Sequence, residues 1–270
     1  MSTIELSAKR GSSEWAGAAG NARVLIARSL RHILRSPEQL MLMLFLPIMM
    51  LLMFRYLFGG AINTGDVTYV NYVVAGIIAV SVTFNSTVAS VAAATDMSEG
   101  IVERFRSMPM LSSTVLIGHV AASVVRNMVS IAVMIGVGFL VGFRPVAGVG
   151  AWLAAIGLLV LFAVAISWIA VLLGVLAKTP EGASGLSMPL VFIPYVGSAF
   201  VPPSTMPDGL RQFAENQPVS LVVDSVRALL MDLPLGNTAW LAVVWWVAIL
   251  AVVVPVAGRV FRARSASPAA

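Results

Sequence analysis

Side chains able to do chemistry are scarce in these 270 residues, and their densest group, DMSEGIVERFRSMPML from Asp96 to Leu111, sits between long apolar runs. Within it Ile101, Phe105 and Met108 recur at i, i+4 and i+7, while Glu99, Glu103, Arg104 and Arg106 take the other faces. Asp96 followed by Glu99 reads as a reciprocal capping box, and Pro109 stops the helix about three turns on. The expected element is a short amphipathic helix that cannot bury its stripe alone. It either lies on a lipid surface or docks into the groove of a partner protein.

Catalysis has little material to work with. There are two histidines, His32 and His119, no cysteine and no HExxH, so no metal ligand set or thiol chemistry is expected. Neither histidine has a serine and acid context that would make a nucleophilic triad. No GxxxxGK[ST] loop occurs to cradle a nucleotide, so no cofactor and no catalytic residue is assigned to this chain. Ion-coupled carriers place Asp or Glu at membrane midplane, and the apolar runs here hold no carboxylate. What remains is a pathway driven by a separate protein.

The elements that must hold the charged island are membrane helices. The chain is 59% hydrophobic and only 11% charged, with mean hydropathy +0.94, against about 25% charged for soluble domains. The fold class expected is all-α, a polytopic membrane protein of six spans. Span 1 covers about Leu40 to Phe58 with Pro47 inside it. Span 2, about Tyr72 to Thr95, is polar for a span: Thr83, Thr87 and Ser90 share one face, Ser81 and Asn85 another. Such residues either glue helices together or line a substrate path. Span 3, about Ala122 to Phe143, ends at the turn Phe143, Arg144, Pro145 and carries Arg126, expected to snorkel toward headgroups from about one turn inside. Span 4 runs from Trp152 to Leu176. Span 5, about Ala183 to Phe200, is interrupted by Pro189 and Pro194, and irregular backbone at that depth needs protein or a cavity beside it. Two short helices between Val201 and Gly236 are expected to dip back toward the membrane, and span 6 covers about Asn237 to Ala257.

Before the first span, Asn21 to Arg35 places Ile26, Leu30 and Ile33 opposite Arg28, Arg31 and Arg35, the pattern of an interfacial amphipathic helix. The domain reading is therefore a flexible N-terminus over 1–20, that helix over 21–35, the spans over 36–258 and a basic tail over 259–270. Lys9, Arg10, Arg23, Arg28, Arg31, Arg35, Arg104, Arg106, Lys178, Arg259, Arg262 and Arg264 fall on one side of such a topology. Only Arg55, Arg144, Arg211 and Arg227 fall on the other. The positive-inside rule puts both termini and the charged island in the cytoplasm of a cell-membrane protein. The net charge of +5 and pI near 10.2 thus report topology and not nucleic-acid binding.

From Arg23 to Arg264 the sequence resembles the membrane subunits of type 2 ABC exporters, the daunorubicin-resistance-like permeases. Gly100, Glu103, Arg104, Phe105, Arg106 and Pro109 fit that family's G-x-x-E-R-[LF]-R-x-x-P pattern, and NQPVSLVVDSVRALL places Gln217, Pro218, Asp224 and Arg227 where the family has a polar signature before its last span. Met97 and Ser98 dilute the charged run that often precedes the coupling glycine. The resemblance implies a coupling helix made by Glu99, Gly100, Glu103, Arg104, Phe105, Arg106 and Pro109. It implies partners: two copies of an ATP-binding subunit, holding ATP and Mg, and a second permease. The candidate substrate path comprises Thr83, Asn85, Thr87, Ser90, Pro189 and Pro194. The candidate outer gate is Gln217, Asp224 and Arg227, where the i, i+3 spacing of the last two also allows a plain local ion pair. The cargo expected is hydrophobic or amphipathic, a drug, antibiotic or lipid. The alternative is a secondary carrier or channel that works without ATP.

Overall fold

The structure is a computed structural model that describes residues 37–62, 64, 67–98 and 113–266. Every regular element among them is helical. Helix α1, Pro37–Met53, starts on a proline, whose missing N–H would be unbonded there anyway, and passes into a π-helical turn at Phe54–Phe58. Then follow α2 (Tyr69–Ser98), α3 (Ser113–Leu140), α4 (Val149–Leu176) and α5 (Pro180–Phe192). After 3₁₀ turns at Ile193–Val196 and Pro203–Thr205 come α6 (Asp208–Asn216), α7 (Pro218–Met231) and α8 (Thr238–Ala266).

Among the described residues four helices, α2, α3, α4 and α8, are long and apolar enough to cross a membrane. The segment expected as span 1 is helical throughout, α1 passing through its π turn to Phe58, while the segment expected as span 5 is a shorter piece. The apolar part of α1 is Met43–Phe58, and α5 ends after 13 residues at Phe192, where Pro194 tightens the chain into the 3₁₀ turn. The amphipathic N-terminal helix expected over 21–35 lies outside the described residues. Helix α8 carries Arg259, Arg262 and Arg264 on its last turns, in the stretch read from sequence as a separate tail.

Helix α2 is the axis of the bundle. It packs against α1, α3, α4, α5 and α7, and 83% of its apolar window is buried against 17% for α8, whose Trp240, Trp245 and Val252 face outward. Its composition explains this: Ala75, Ala79, Ala89, Ala93 and Ala94 leave room for backbones to approach, which is what drives helix association where lipid is as apolar as leucine. Two glycines mark the tightest crossings. A Cβ on Gly76 would lie 2.6 and 2.7 Å from the C and Cα of Ala199, and one on Gly174 in α4 would lie 2.9 and 3.0 Å from those of Ser90.

The stops are readable locally. Gly142 takes φ +104 after α3, and the Phe143 N–H returns 2.8 Å to the Gly138 carbonyl, a Schellman closure that a side chain would strain. Thr179 caps α5, accepting from the Gly182 N–H at 3.1 Å with Pro180 at the first helical position. One expectation fails. Asp96 does not cap a new helix; α2 continues through it to Ser98, and its carboxylate is turned to α3 instead.

Candidate functional site

At one end of the bundle the chain after α5 has left regular structure, and its carbonyls are taken up by side chains of α2 and α7. Tyr69 Oη donates to Phe200 O at 3.1 Å and Tyr72 Oη to Ser198 O at 2.9 Å. Gln217 Nε2 donates to Val196 O at 3.1 Å and Ile193 O at 3.3 Å, and the Ser198 N–H donates to Ser220 Oγ at 3.1 Å. Arg227 is the hub. Its Nε donates to Tyr72 O at 3.0 Å, its Nη2 to Ser198 O at 2.8 Å and its Nη1 to Asp224 Oδ1 at 2.6 Å, with the guanidinium 3.5 Å from the Tyr72 ring centroid. Backbone that cannot bond itself at this depth must be bonded by neighbours, and these side chains do so.

Gln217, Asp224 and Arg227 therefore stand together, and Pro194 is buried in the turn they hold. The ion pair allowed by the i, i+3 spacing is present, but Arg227 spends two further donors across the fold. Burial pushes the Asp224 carboxyl above the usual carboxylate range, and the charge of Arg227 opposes that shift. The same end carries Arg55, whose Nε donates to Val141 O at 3.2 Å, and Arg144, whose N–H donates to Asn71 Oδ1 at 2.9 Å. Trp246 of α8 ties in by donating Nε1 to Pro218 O at 3.1 Å and meeting Phe162 edge-on at 5.0 Å.

Midway along the bundle runs a polar seam. Ser81 and Ser130 share a hydrogen bond of 2.6 Å, Asn127 Nδ2 donates to Ser86 Oγ at 3.0 Å, and Ser167 Oγ donates to Ser123 Oγ at 2.8 Å. Asn85 joins it weakly through Ser81 at 3.4 Å. Thr83 and Thr87 bond back to their own helix, at Val80 O and Phe84 O, while Ser90 Oγ is buried without a partner. Pro189 is exposed on α5, on a different part of the bundle surface. The structure thus gathers Thr83, Asn85 and Ser90 inside the protomer and leaves Pro189 apart from them. The α3 half of the seam was missed from sequence, although Ser123, Asn127 and Ser130 at i, i+4 and i+7 form a polar stripe in an otherwise apolar span and signalled it.

At the opposite end, His119 Nε2 lies 2.9 Å from Asp96 Oδ2, joining α2 and α3 where they flank the charged island. Arg264 of α8 bonds through Nη1 to the carbonyls of Val175 and Ala177 and so closes the C-terminus of α4. Glu99, Gly100, Glu103, Arg104, Phe105, Arg106 and Pro109 lie outside the described residues.

A bundle of apolar helices, four of them long enough to cross a membrane among the described residues, with a side-chain-bonded break at one end, is the architecture of a multi-pass membrane protein. Residues 21–231 match the model of the ABC-2 type transporter family, and the chain belongs to that family. It is similar to the daunorubicin resistance ABC transporter permease protein DrrB1 of Streptomyces coeruleorubidus, at 30% identity over 213 residues covering 76% of this chain and 75% of the relative. It is also similar to a probable doxorubicin resistance ABC transporter permease protein, DrrC, of Mycobacterium tuberculosis, at 24% identity over 152 residues covering 54% of this chain and 55% of that one. The chain is thus the permease component of an ABC transporter, the class its sequence resembles.

Proposed function

We propose that this permease exports a hydrophobic or amphipathic molecule, a drug or antibiotic of the kind its relatives' names record or a lipid, using ATP hydrolysed with Mg in a separate ATP-binding subunit. The observation that carries the reading is the family match over residues 21–231, in a chain with no phosphate-binding loop to hold ATP itself. Six spans, with α1 and α5 as the two short ones, both termini cytoplasmic and α6 and α7 dipping in from outside, suit the distribution of Lys and Arg. Two ATP-binding subunits would act on two permeases, copies or homologues. Closure of the ATPase pair pushes the island of Glu99, Gly100, Glu103, Arg104, Phe105, Arg106 and Pro109. Helices α2 and α3 carry the push as levers, and the far end, held by Gln217, Asp224 and Arg227, opens. Cargo moves past Thr83, Asn85, Thr87, Ser90, Pro189 and Pro194 as the bundle shifts.

The Asp96–His119 pair supports this route because it ties together the two helices that enter and leave the island. Severing it with His119→Ala is expected to lower transport several-fold while costing the fold no more than about 1 kcal/mol, since the pair is partly exposed and screened. Transport at wild-type rate in that variant would remove the pair from the route. For the function itself, inside-out vesicles holding this chain and its ATP-binding subunit should accumulate doxorubicin, read by fluorescence, only when ATP and Mg are supplied. Accumulation driven by an ion gradient alone would make the chain a secondary carrier.

A further inference from the structure

Arg126 is a cation of the bundle for which the described residues offer its buried Nε no partner. Helix α3 carries His119, bound to Asp96, two turns before Arg126, and Val141, which receives Arg55, follows its last residue, ~33 Å from His119 at about 1.5 Å per residue. Arg126 lies ~10 Å inside the His119 end. Its Nε is sealed from solvent with no hydrogen-bond partner, although the residue as a whole keeps part of its surface. Arg55, Arg144, Arg211, Arg227 and Arg264 by contrast all have partners.

Among the described residues the surroundings supply no counter-charge. On the same helix Ser123 and Asn127 are neutral and engaged with Ser167 and Ser86. Asp96 is taken by His119. A second copy of this chain would bring spans equally free of carboxylates. A buried guanidinium nitrogen without an acceptor is costly, and an oxyanion from outside the protein is the group that fits it. Helical side chains lean toward their own N-terminus, which points Arg126 back to the His119 end, and an arginine fork holds a phosphate or carboxylate by two hydrogen bonds. On the same face of α3, Ala122 and Val129 beside Arg126 are apolar and part-exposed, which would suit a hydrocarbon tail.

We propose that Arg126 is a recognition point for the phosphate or carboxylate of an amphiphile that enters from the membrane leaflet at the Asp96–His119 end. The proposal narrows the cargo or the regulating lipid of the transport reading, on which it rests for its role, while the binding itself requires neither ATP nor transport. The test is binding to the purified full-length chain by native mass spectrometry, with dioleoyl phosphatidylglycerol and dodecanoate as anionic probes and dioleoylglycerol and dodecanol as uncharged ones. Wild type should hold at least one anionic probe about tenfold more tightly than its uncharged analogue. Arg126→Gln should lose that preference and Arg126→Lys keep part of it. Preference for phosphatidylglycerol alone makes the ligand a lipid headgroup, and preference for dodecanoate makes it a carboxylate amphiphile. Competition between dodecyl phosphate and the preferred probe on wild type needs no variant and should displace it. Equal binding of charged and uncharged probes, or an Arg126→Gln protein that changes only in its dimer fraction, overturns the proposal and leaves the export reading standing.

Discussion

Arg227→Ala is expected to lower the stability of the protein by about 3–5 kcal/mol, among the largest effects of any single truncation in the described residues. The loss has three parts. Asp224 is left without the cation that offsets its burial, Tyr72 O and Ser198 O lose donors, and the face of the Tyr72 ring loses its cation. Ser198 O keeps the Tyr72 Oη donor at 2.9 Å, so the larger part of the loss is the uncompensated Asp224 charge. Arg227→Lys should recover only part, because an ammonium cannot reach three acceptors held at 2.6, 2.8 and 3.0 Å in a fixed fork. Thermal unfolding in detergent reads the order wild type, Lys, Ala. An alanine variant that melts like wild type would show that the break after α5 does not depend on this side chain.

The second large effect is expected at the two helix crossings. Gly174→Ala and Gly76→Ala each drive a methyl into backbone, at Ser90 and at Ala199, and backbone cannot rotate away as a side-chain tip can. Overpacking of well-filled cores costs about 1–3 kcal/mol, and these sites belong at the top of that range or above it. Gly157→Ala in α4 and Gly185→Ala in α5 have open space at the Cβ position and are the controls. They should be neutral or gain up to about 1 kcal/mol from the better helix former. The yield of monodisperse protein and its melting temperature report both pairs. If all four variants behave alike, close backbone approach is not what holds α2 in place.

What sequence reveals here is what depends on near neighbours in the chain. The apolar runs and the short helices between Val201 and Gly236 follow from periodicity and turn residues, and they are present. Gln217, Asp224 and Arg227 are singled out by the family resemblance, and they do stand together. Their purpose in the fold could not be read, since the acceptors on Tyr72 and Ser198 lie 155 and 29 positions from Arg227. Asp96 shows the same limit from the other side. A cap contributes about 1 kcal/mol and is local, whereas its actual partner His119 comes from across the island, and the tertiary pair prevailed. Span 5 reads long in the sequence because hydropathy sees the apolar run and not the 3₁₀ turn that interrupts it. The polar face of α2 was legible as polar, and only the bundle shows Asn85 and Ser81 turned to α3 while Thr83 folds back on its own helix.

The central claim is that the charged island receives the stroke of a separate ATPase. Co-expression of this chain with its ATP-binding subunit, followed by co-purification and ATPase assay of wild type and of the Glu103→Ala, Arg104→Ala double variant, tests it most directly. A complex that forms with wild type, and that the double variant loses or leaves with ATPase activity no longer coupled to transport, is the expected result. A double variant that binds the ATPase and transports like wild type would contradict the claim.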